Sequence, residues 1–209
     1  MNTYPSIPDS KKAPIGQRCV AFYKYDGSNM RWEWSKKRGF HKFGTRTRLF
    51  DETDQVFGEG VPLFMDTMAQ PIQERVLDVY GSKLERFTAF GEFLGKNSFA
   101  GSHIKDDEKY LKLFDVTVFK KGFIDPKLFV QMFGEFDFTA EEVYRGPLTE
   151  GFINSVRNSG PGQLPGYDLN EGVIVKGGEG HKLWMTKIKT YAYLAKLKES
   201  VDNWQNFWE

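Results

Sequence analysis

Lys24-Tyr25-Asp26-Gly27-Ser28-Asn29 is the stretch of this chain that points to a fold and to a chemistry. It follows the apolar run 20–23, which is typical of a buried strand. A lysine amine is a nucleophile only without its proton, and a free lysine keeps that proton up to about pH 10.4. Burial and nearby cations favour loss of the proton, so a lysine at the end of a buried strand can act as a nucleophile. Taken alone, the same residues also suit a hairpin turn with a solvated lysine, because Asp-Gly is a common hairpin sequence.

Composition limits the class of protein. The 209 residues suit one large domain or two small ones, and we predict one domain over residues 1–209. Hydrophobic residues make up 40% and aromatic residues 16%, which is enough for a packed core. The single cysteine, Cys19, excludes an internal disulfide and suits a reducing compartment. We find no signal peptide and no membrane span, so we predict a cytoplasmic protein, in the host cytoplasm if its source is a virus.

The charge is balanced overall but uneven along the chain. The net charge is +1, yet residues 36–48 contain six lysines and arginines and no acidic residue. A second group of lysines lies near the C-terminus, at Lys176, Lys182, Lys187, Lys189, Lys196 and Lys198. Such stretches can bind a polyphosphate or a nucleic acid backbone, and the alternative is ordinary solvated surface.

Hydrophobic patterns predict strands at 20–24, 30–34, 87–92, 110–119, 172–176 and 183–188. They predict helices at 71–80, 126–133, 147–157 and 191–199, and a loop at 158–170, which is rich in glycine and proline. Strands and helices are interspersed without a regular βαβ order. This pattern favours an α+β domain with largely antiparallel sheets.

Further short motifs follow the lysine motif in a fixed order. They contain Arg46 (44–48), Glu92 (90–95), Phe114 and Asp115 (113–116), Glu171 (171–176), and Lys187 and Lys189 (184–189). The ordered set resembles the covalent nucleotidyltransferases, namely ATP-dependent RNA ligases, DNA ligases and mRNA capping enzymes. It is most similar to the RNA ligases of the phage T4 RNA ligase 2 type, whose lysine motif ends in asparagine, as Asn29 does here. The resemblance covers about residues 20–189, and a set of motifs in order is far more specific than any one of them.

The resemblance implies a nucleotidyltransferase domain, ATP-grasp-like, with largely antiparallel sheets flanking an ATP pocket. It implies that Lys24 attacks the α-phosphorus of ATP and forms lysyl-AMP, that AMP passes to a 5′-phosphate end, and that a 3′-hydroxyl then seals that end. The expected cofactors are ATP and Mg²⁺ or Mn²⁺, and the expected partners are nucleic acid ends, RNA first. We expect a monomer without a C-terminal OB domain. The alternative is a partner protein that replaces this domain in binding the nucleic acid.

The resemblance also assigns roles to individual residues. Lys187 and Lys189 share one face of a strand and would hold the α-phosphate. Glu171 would help to bind the metal ion, and Glu92 the ribose or nucleophile. The other expected contacts with the nucleotide come from Tyr23, Asn29 (ribose or phosphate), Arg46 (phosphates) and Phe114 (adenine). Asp26 and Lys176 belong to the motifs without a clear role.

Each residue also has an ordinary structural interpretation. A glutamate at a strand end is commonly a salt-bridge partner, a phenylalanine a core residue, and an arginine exposed surface. Asn29 suits a turn, and alternating lysines suit the polar side of a strand. Residues 91–97 resemble a phosphate-binding P-loop, but three residues rather than four separate the glycines, so we set that interpretation aside.

Three functions stay open at this point. The first is an ATP-dependent RNA ligase. The second is a related enzyme, a minimal DNA ligase or a GTP-using capping enzyme, and Asn29 favours RNA ligase because DNA ligases usually carry arginine there. The third is an inactive module that binds nucleic acid ends.

Overall fold

The computed structural model describes residues 1–160 and 171–205. The chain packs as two units, and each is described by itself. The first unit comprises Met1–Pro5 and Gly27–Thr139, and the second comprises Ser6–Asp26 and Ala140–Glu209. That residues 1–209 form one domain stays a prediction.

The first unit is built on a six-stranded antiparallel sheet of order β4-β3-β2-β5-β6-β7. Its strands are β2 (Ser28–Ser35), β3 (Gly39–Thr45), β4 (Leu49–Phe50), β5 (Arg86–Gly95), β6 (Lys109–Val118) and β7 (Gly122–Phe123). Its helices are α1 (Gly60–Phe64), a π-helical stretch (Met65–Ala69), α2 (Gln70–Tyr80) and α3 (Pro126–Phe133).

Aromatic packing holds helix α1 against this sheet. Trp32 of β2 is fully buried and stacks on Phe64 of α1, with ring centroids 4.3 Å apart. Helix α3 begins as predicted, because the Asp125 side chain accepts a hydrogen bond from the Leu128 amide and Pro126 is the first helical residue.

The second unit is built on a four-stranded antiparallel sheet of order β10-β9-β1-β8. Its strands are β1 (Arg18–Lys24), β8 (Glu142–Pro147), β9 (Gly172–Gly177) and β10 (Trp184–Lys189), and its helices are α4 (Glu150–Asn158) and α5 (Tyr191–Ser200). Ile153 and Val156 of α4 pack with Ala21, Val175 and Ile188 of the sheet in one buried core. Thr149 and Thr190 cap the two helices, since each side chain accepts a backbone amide three residues later.

The fold class is confirmed: both sheets are antiparallel and helices are interspersed with the strands. The hairpin interpretation of 24–29 is wrong, because β1 pairs with β8 and β9 whereas β2 pairs with β3 and β5. The chain passes from one sheet to the other at this motif, and the motif is therefore a junction.

Two local predictions differ from the structure. The helix predicted from 147 begins at Glu150, because Pro147 ends strand β8 and pairs with Arg18. Strands β3, β4, β7 and β8, helix α1 and the π-helical stretch were not predicted. The predicted loop 158–170 lies outside the described residues from 161 onward. Within the described part of the chain, no helix combines the length and the apolar character needed to cross a lipid bilayer.

Candidate functional site

Lys24 is the last residue of β1, and the pairing of three strands sets its neighbours. Lys24 lies opposite Gly172 of β9, and Gly172 lies opposite Lys189 of β10 on its other side. Directly opposed residues of antiparallel strands project their side chains to the same face, so both lysines flank the position of Gly172 on one face. Gly172 has φ +142°, and a Cβ there would collide with the Ile188 carbonyl oxygen. The glycine of this motif is therefore required by the close approach of β10.

Glu171 places one carboxylate between the two lysines. Its Oε1 atom lies 2.9 Å from Lys24 Nζ and 3.2 Å from Lys189 Nζ. The Glu171 and Lys189 side chains are 5% and 8% exposed, whereas Lys24 is 23% exposed. The solvated-lysine interpretation of Lys24 is therefore wrong, since this amine pairs with a buried carboxylate and stays partly open.

The electrostatics of the cluster bear on the lysine amines. Burial, the largest influence, lowers the pKa of Lys189. The Glu171 carboxylate opposes that shift and the nearby Lys24 ammonium adds to it. The Lys24 ammonium therefore lies close enough to Lys189 to disfavour the proton on the Lys189 amine.

Tyr193 is a contact that the sequence did not suggest. Its hydroxyl donates to Asp26 Oδ1 at 3.0 Å, and its ring lies 5.4 Å from Lys189 Nζ. Tyr193 is buried in the first turn of α5, directly after the lysine strand. Because its partner Asp26 is 167 residues away, no local pattern in the sequence indicates the contact.

Lys187 shares the face of Lys189 on strand β10, as predicted from alternation. Its backbone amide donates to the Pro8 carbonyl at 2.9 Å. Its charge acts on Asp9, whose pKa is lowered mainly by the Lys11 backbone amide and in small part by Lys187. Lys187 is therefore placed on the predicted face but lies toward the Pro8–Asp9 segment.

Two other motif residues of this unit are largely inside it. Tyr23 is half-buried, packs against the core cluster and contacts the Tyr25 ring at 4.6 Å. Lys176 is buried on β9, and its Nζ lies 5.1 Å from the centre of the Phe22 ring.

In the first unit, Asn29 and Glu92 lie directly opposite each other on β2 and β5. Glu92 Oε1 accepts the Gly27 backbone amide at 3.2 Å. A Cβ on Gly27 would collide with the Phe93 carbonyl, so the motif glycine is needed here for packing against β5. Among the described residues, Asn29 Oδ1 is buried and has no hydrogen-bond partner. A buried amide oxygen of this kind is costly unless a ligand or water satisfies it.

Tyr4 contacts Phe114 and lies near the charge of Arg46, and the sequence did not suggest a role for it. The Tyr4 ring contacts Phe114 edge-on at 4.9 Å, and its hydroxyl donates to Asp115 Oδ2 at 2.5 Å. Burial first, and then Asp115, raises the pKa of Tyr4 well above its usual value. Arg46 lowers that pKa and Glu92 raises it, so both charges lie near Tyr4.

The donor set suits a hard divalent ion. Glu171 and Asp26 supply carboxylate oxygens in the second unit, and Mg²⁺ or Mn²⁺ favours such ligands, with phosphate and water completing the shell. In the described residues, no group of three or more histidine, cysteine, aspartate or glutamate side chains lies together.

The structure therefore brings the sequence-predicted residues together in two groups. The second unit gathers Lys24, Glu171 and Lys189, with Lys187 on the same strand face. The first unit gathers Asn29, Glu92, Phe114 and Arg46 around β2, β5 and β6.

Comparison with solved structures finds ligases of similar fold. The chain is similar to an RNA ligase from Naegleria gruberi, solved as a single-residue variant with ATP and Mn. The TM-score is 0.64 and the sequence identity is 17%, and the match covers 94% of this chain and 58% of the ligase. The same ligase with PPi matches with TM-score 0.63 and 16% identity, over 95% of this chain and 58% of that one. A candidate ATP-dependent DNA ligase from Aquifex aeolicus matches with TM-score 0.63 and 16% identity, over 99% of this chain and 55% of that one.

These likenesses show the fold: the chain shares the architecture of these solved ligases along nearly its whole length. It spans less than three-fifths of the length of these solved ligases. No protein-family model matches the sequence, and no curated protein matches it.

Proposed function

We propose that the protein is an ATP-dependent RNA ligase of the phage T4 RNA ligase 2 type, in which Lys24 carries AMP. One observation carries the proposal: the Lys24 amine is paired with the buried Glu171 carboxylate that Lys189 also contacts. One carboxylate neutralises only one of the two ammonium groups, so this arrangement leaves an excess positive charge that suits a phosphate ligand.

The first step uses Lys24 as a nucleophile. Its neutral amine attacks the α-phosphorus of ATP, so a P–N bond forms and the bond from the α-phosphorus to the bridging oxygen breaks. Pyrophosphate leaves with that electron pair, and the amine gives up a proton. In this proposal the Lys189 ammonium, which shares the Glu171 oxygen with Lys24, repels the positive charge of a protonated Lys24. Its charge then faces the α-phosphate together with that of Lys187.

A divalent ion is part of the proposal. Glu171, with Asp26 nearby on the same unit, would hold Mg²⁺ or Mn²⁺, which neutralises phosphate charge when it is bound. Tyr193 fixes Asp26 through its hydroxyl, and it holds that carboxylate in one position for this role.

The residues of the first unit bind the nucleotide in this proposal. Phe114 stacks on adenine and is oriented by Tyr4. Asn29 offers its unsatisfied Oδ1 to a ribose hydroxyl, which matches the need of a buried acceptor for a donor. Glu92 contacts the ribose, and Arg46, which is exposed, contacts phosphates. Tyr23 is proposed to contact the nucleotide from the end of β1.

Two transfers complete the reaction. An oxygen of a 5′-phosphate attacks the α-phosphorus of lysyl-AMP, the P–N bond breaks, and Lys24 recovers a proton. A 3′-hydroxyl then attacks the activated 5′-phosphate, so the phosphodiester bond forms and the bond from that phosphorus to the bridging oxygen breaks. AMP leaves with that electron pair, and the hydroxyl proton passes to water. Both steps depend on positioning and charge neutralisation rather than on further protein nucleophiles.

The ligands of the similar structures support the first step of this proposal. The Naegleria ligase contains ATP with Mn in one structure and PPi in another, which correspond to the substrate and the leaving group of the first step. Support for RNA over DNA comes from Asn29 in the lysine motif. A DNA ligase is the second candidate, favoured by the similarity to the Aquifex protein.

Self-adenylylation tests the proposal. Wild-type protein incubated with α-labelled ATP and Mg²⁺ should retain label, Lys24→Ala should retain none, and GTP should label neither. Lys12→Ala is the matched control, since it removes an exposed lysine of the same unit. If wild-type protein stays unlabelled, the enzyme proposal is refuted, and the inactive module that binds nucleic acid ends is the remaining candidate. Sealing of nicked RNA but not nicked DNA by the labelled protein would then select the first candidate.

We also propose a cytoplasmic monomer, with a partner protein as the alternative source of further nucleic acid contacts. Burial raises the pKa of the Cys19 thiol to about 11, so this cysteine stays protonated and unreactive at neutral pH. The proposed chemistry uses no thiol.

A further inference from the structure

Three turns meet at one end of the six-stranded sheet. They are the β2–β3 turn (36–38), the segment before β5 (81–85) and the β6–β7 turn (119–121). The Lys36 amide donates to the Glu85 carbonyl at 3.0 Å, and the Phe119 amide donates to the Arg86 carbonyl at 3.1 Å. These bonds fix the three turns side by side, although they are far apart in the sequence.

This end of the sheet is strongly cationic. We call it the basic end, and it consists of Lys36, Lys37, Arg38, Lys83, Arg86, Lys120 and Lys121. The same three turns contain one acidic residue, Glu85. Seven of the 29 lysines and arginines of the chain therefore lie at this end, whereas the net charge of the whole chain is only +1.

The cations of the basic end are available to a ligand. In the part of the chain that the structure describes, Lys36, Lys37 and Lys121 are exposed and form no ion pair. Arg86 lies 4.0 Å from the buried Glu33 carboxylate, which already has the Met1 ammonium at 3.2 Å and Lys42 at 3.0 Å.

Aromatic rings hold several of these charges in place. The Phe119 ring has the Arg86 guanidinium 4.5 Å from its centre and Lys120 Nζ 5.1 Å from its centre. Lys121 Nζ lies 5.6 Å from the centre of the Tyr80 ring. A ring restrains a cation without neutralising it, so less side-chain entropy is lost when an anion binds.

We propose that the basic end binds the phosphodiester backbone of a nucleic acid away from the end that reacts. This deepens the proposed function and rests on it for the position of the reacting end. Six residue steps of about 3.4 Å separate Asn29 from Ser35 along β2, which places the basic end about 20 Å from Asn29 and Glu92. A duplex that spans this distance has about six base pairs, since one pair takes about 3.4 Å.

The predicted basic stretch 36–48 is divided by this arrangement. Strand β3 runs back along β2, so Arg46 lies at the Asn29 end of the sheet and 36–38 at the other. Lys42 pairs with Glu33, and Arg48 pairs with Asp54 at 2.5 Å. The basic end therefore combines the first three cations of this stretch with four from elsewhere in the sequence, Lys83, Arg86, Lys120 and Lys121.

The test is the salt dependence of binding. The variant Lys36→Gln/Lys37→Gln/Lys121→Gln is compared with wild type and with a control that removes three exposed lysines outside both basic stretches, Lys11→Gln/Lys12→Gln/Lys105→Gln. Fluorescence anisotropy measures the affinity of each for a nicked duplex with a 5′-phosphate, as DNA and as RNA, and for a single strand, between 50 and 200 mM salt (roughly the range in which such slopes are resolved).

Each lost phosphate contact should reduce the slope of log K against log salt by about 0.9 on B-DNA. Three lost contacts mean that wild type loses about 40-fold more affinity than the variant over this fourfold change in salt. The control should keep the wild-type slope. Equal slopes for the variant and wild type on every probe would overturn the proposal.

Two further measurements separate the possible failures. Self-adenylylation is assayed on the same preparations. If the proteins are labelled but the variant and wild type have equal salt slopes, only the proposal for the basic end is rejected. If the variant has a reduced salt slope but no protein is labelled, the ligase proposal is rejected and the basic end remains a nucleic acid surface. Duplex arms are then shortened from either side of the nick. The difference between variant and wild type should disappear once one arm is shorter than about six base pairs, and its persistence with shorter arms on both sides would contradict the distance argument.

Discussion

Replacing Lys189 with methionine should make the Lys24 amine less reactive even when no ATP is present. The two ammonium nitrogens contact the same Glu171 oxygen at 2.9 and 3.2 Å, so they lie no more than about 6 Å apart. At an effective dielectric constant of about 20, two unit charges at that distance repel by about 3 kcal/mol. In Lys189→Met this repulsion is gone, and Glu171 pairs with Lys24 alone.

The consequence is a smaller fraction of neutral Lys24 amine. An energy of about 3 kcal/mol corresponds to about a hundredfold change in that fraction. The Lys24 side chain is 23% exposed, so water screens part of the repulsion, and we expect a reduction of between about tenfold and a hundredfold.

The assay is competitive acetylation of lysines with a trace of acetic anhydride, followed by mass spectrometry of the peptide that contains Lys24, from pH 6 to pH 11 (about the range over which a lysine titrates). Lys189→Arg keeps the charge and should label close to wild type. Lys182→Met removes an exposed lysine of the same unit and serves as the background control. Because the assay contains no ATP, lost phosphate binding cannot produce the effect. Wild-type labelling of Lys24 in Lys189→Met at every pH would refute the electrostatic argument.

Two stability predictions follow from the buried contacts. Tyr4→Phe should lower the free energy of unfolding by about 1.5–3 kcal/mol, because it removes a donor from the buried Asp115 carboxylate. Folding raises the pKa of Tyr4, so the stability difference between wild type and Tyr4→Phe should be full below about pH 10 and should decline above it. Urea unfolding at several pH values measures this difference. A difference that grows above about pH 10 would contradict the assignment. Gly172→Ala should destabilise the second unit by about 3 kcal/mol or more, because the added methyl meets the Ile188 carbonyl at a φ that alanine rarely adopts. Gly151→Ala, a helix position with room for a methyl, is the control and should be neutral or slightly stabilising in thermal unfolding; equal melting for both variants would count against the required glycine.

Much of the local structure followed from the sequence because it depends on local physics. Alternation placed Lys187 and Lys189 on one strand face, and Asp125 with Pro126 marked the start of α3. The helix predicted from 147 failed for a tertiary reason. Pro147 suits a first helical turn, but it pairs with Arg18 at the end of an edge strand, and Thr149 caps the helix instead.

The candidate site was predictable in its residue types but not in its contacts. The ordered motifs identified Lys24 and Glu171 as chemical groups, whereas their 2.9 Å pairing depends on the register of β1 with β9. Tyr193 and Tyr4 were missed because each acts on a partner more than 100 residues away, at Asp26 and Asp115. Periodicity reports which face a residue occupies, and it carries no information on which distant strand pairs with that face.

The sequence by itself determined the α+β class, the strands that carry the motifs, and the set of groups suited to phosphoryl transfer. Only the tertiary structure decided that Lys24, Gly172 and Lys189 lie side by side across three strands, so that one buried carboxylate serves two lysines. It also decided that the lysine motif joins two sheets, and that cations from three turns form one basic end while the continuous stretch 36–48 is divided. The physical reason is the same in each case: hydrogen-bond register between distant strands fixes which side chains meet, and packing of the whole sheet fixes that register.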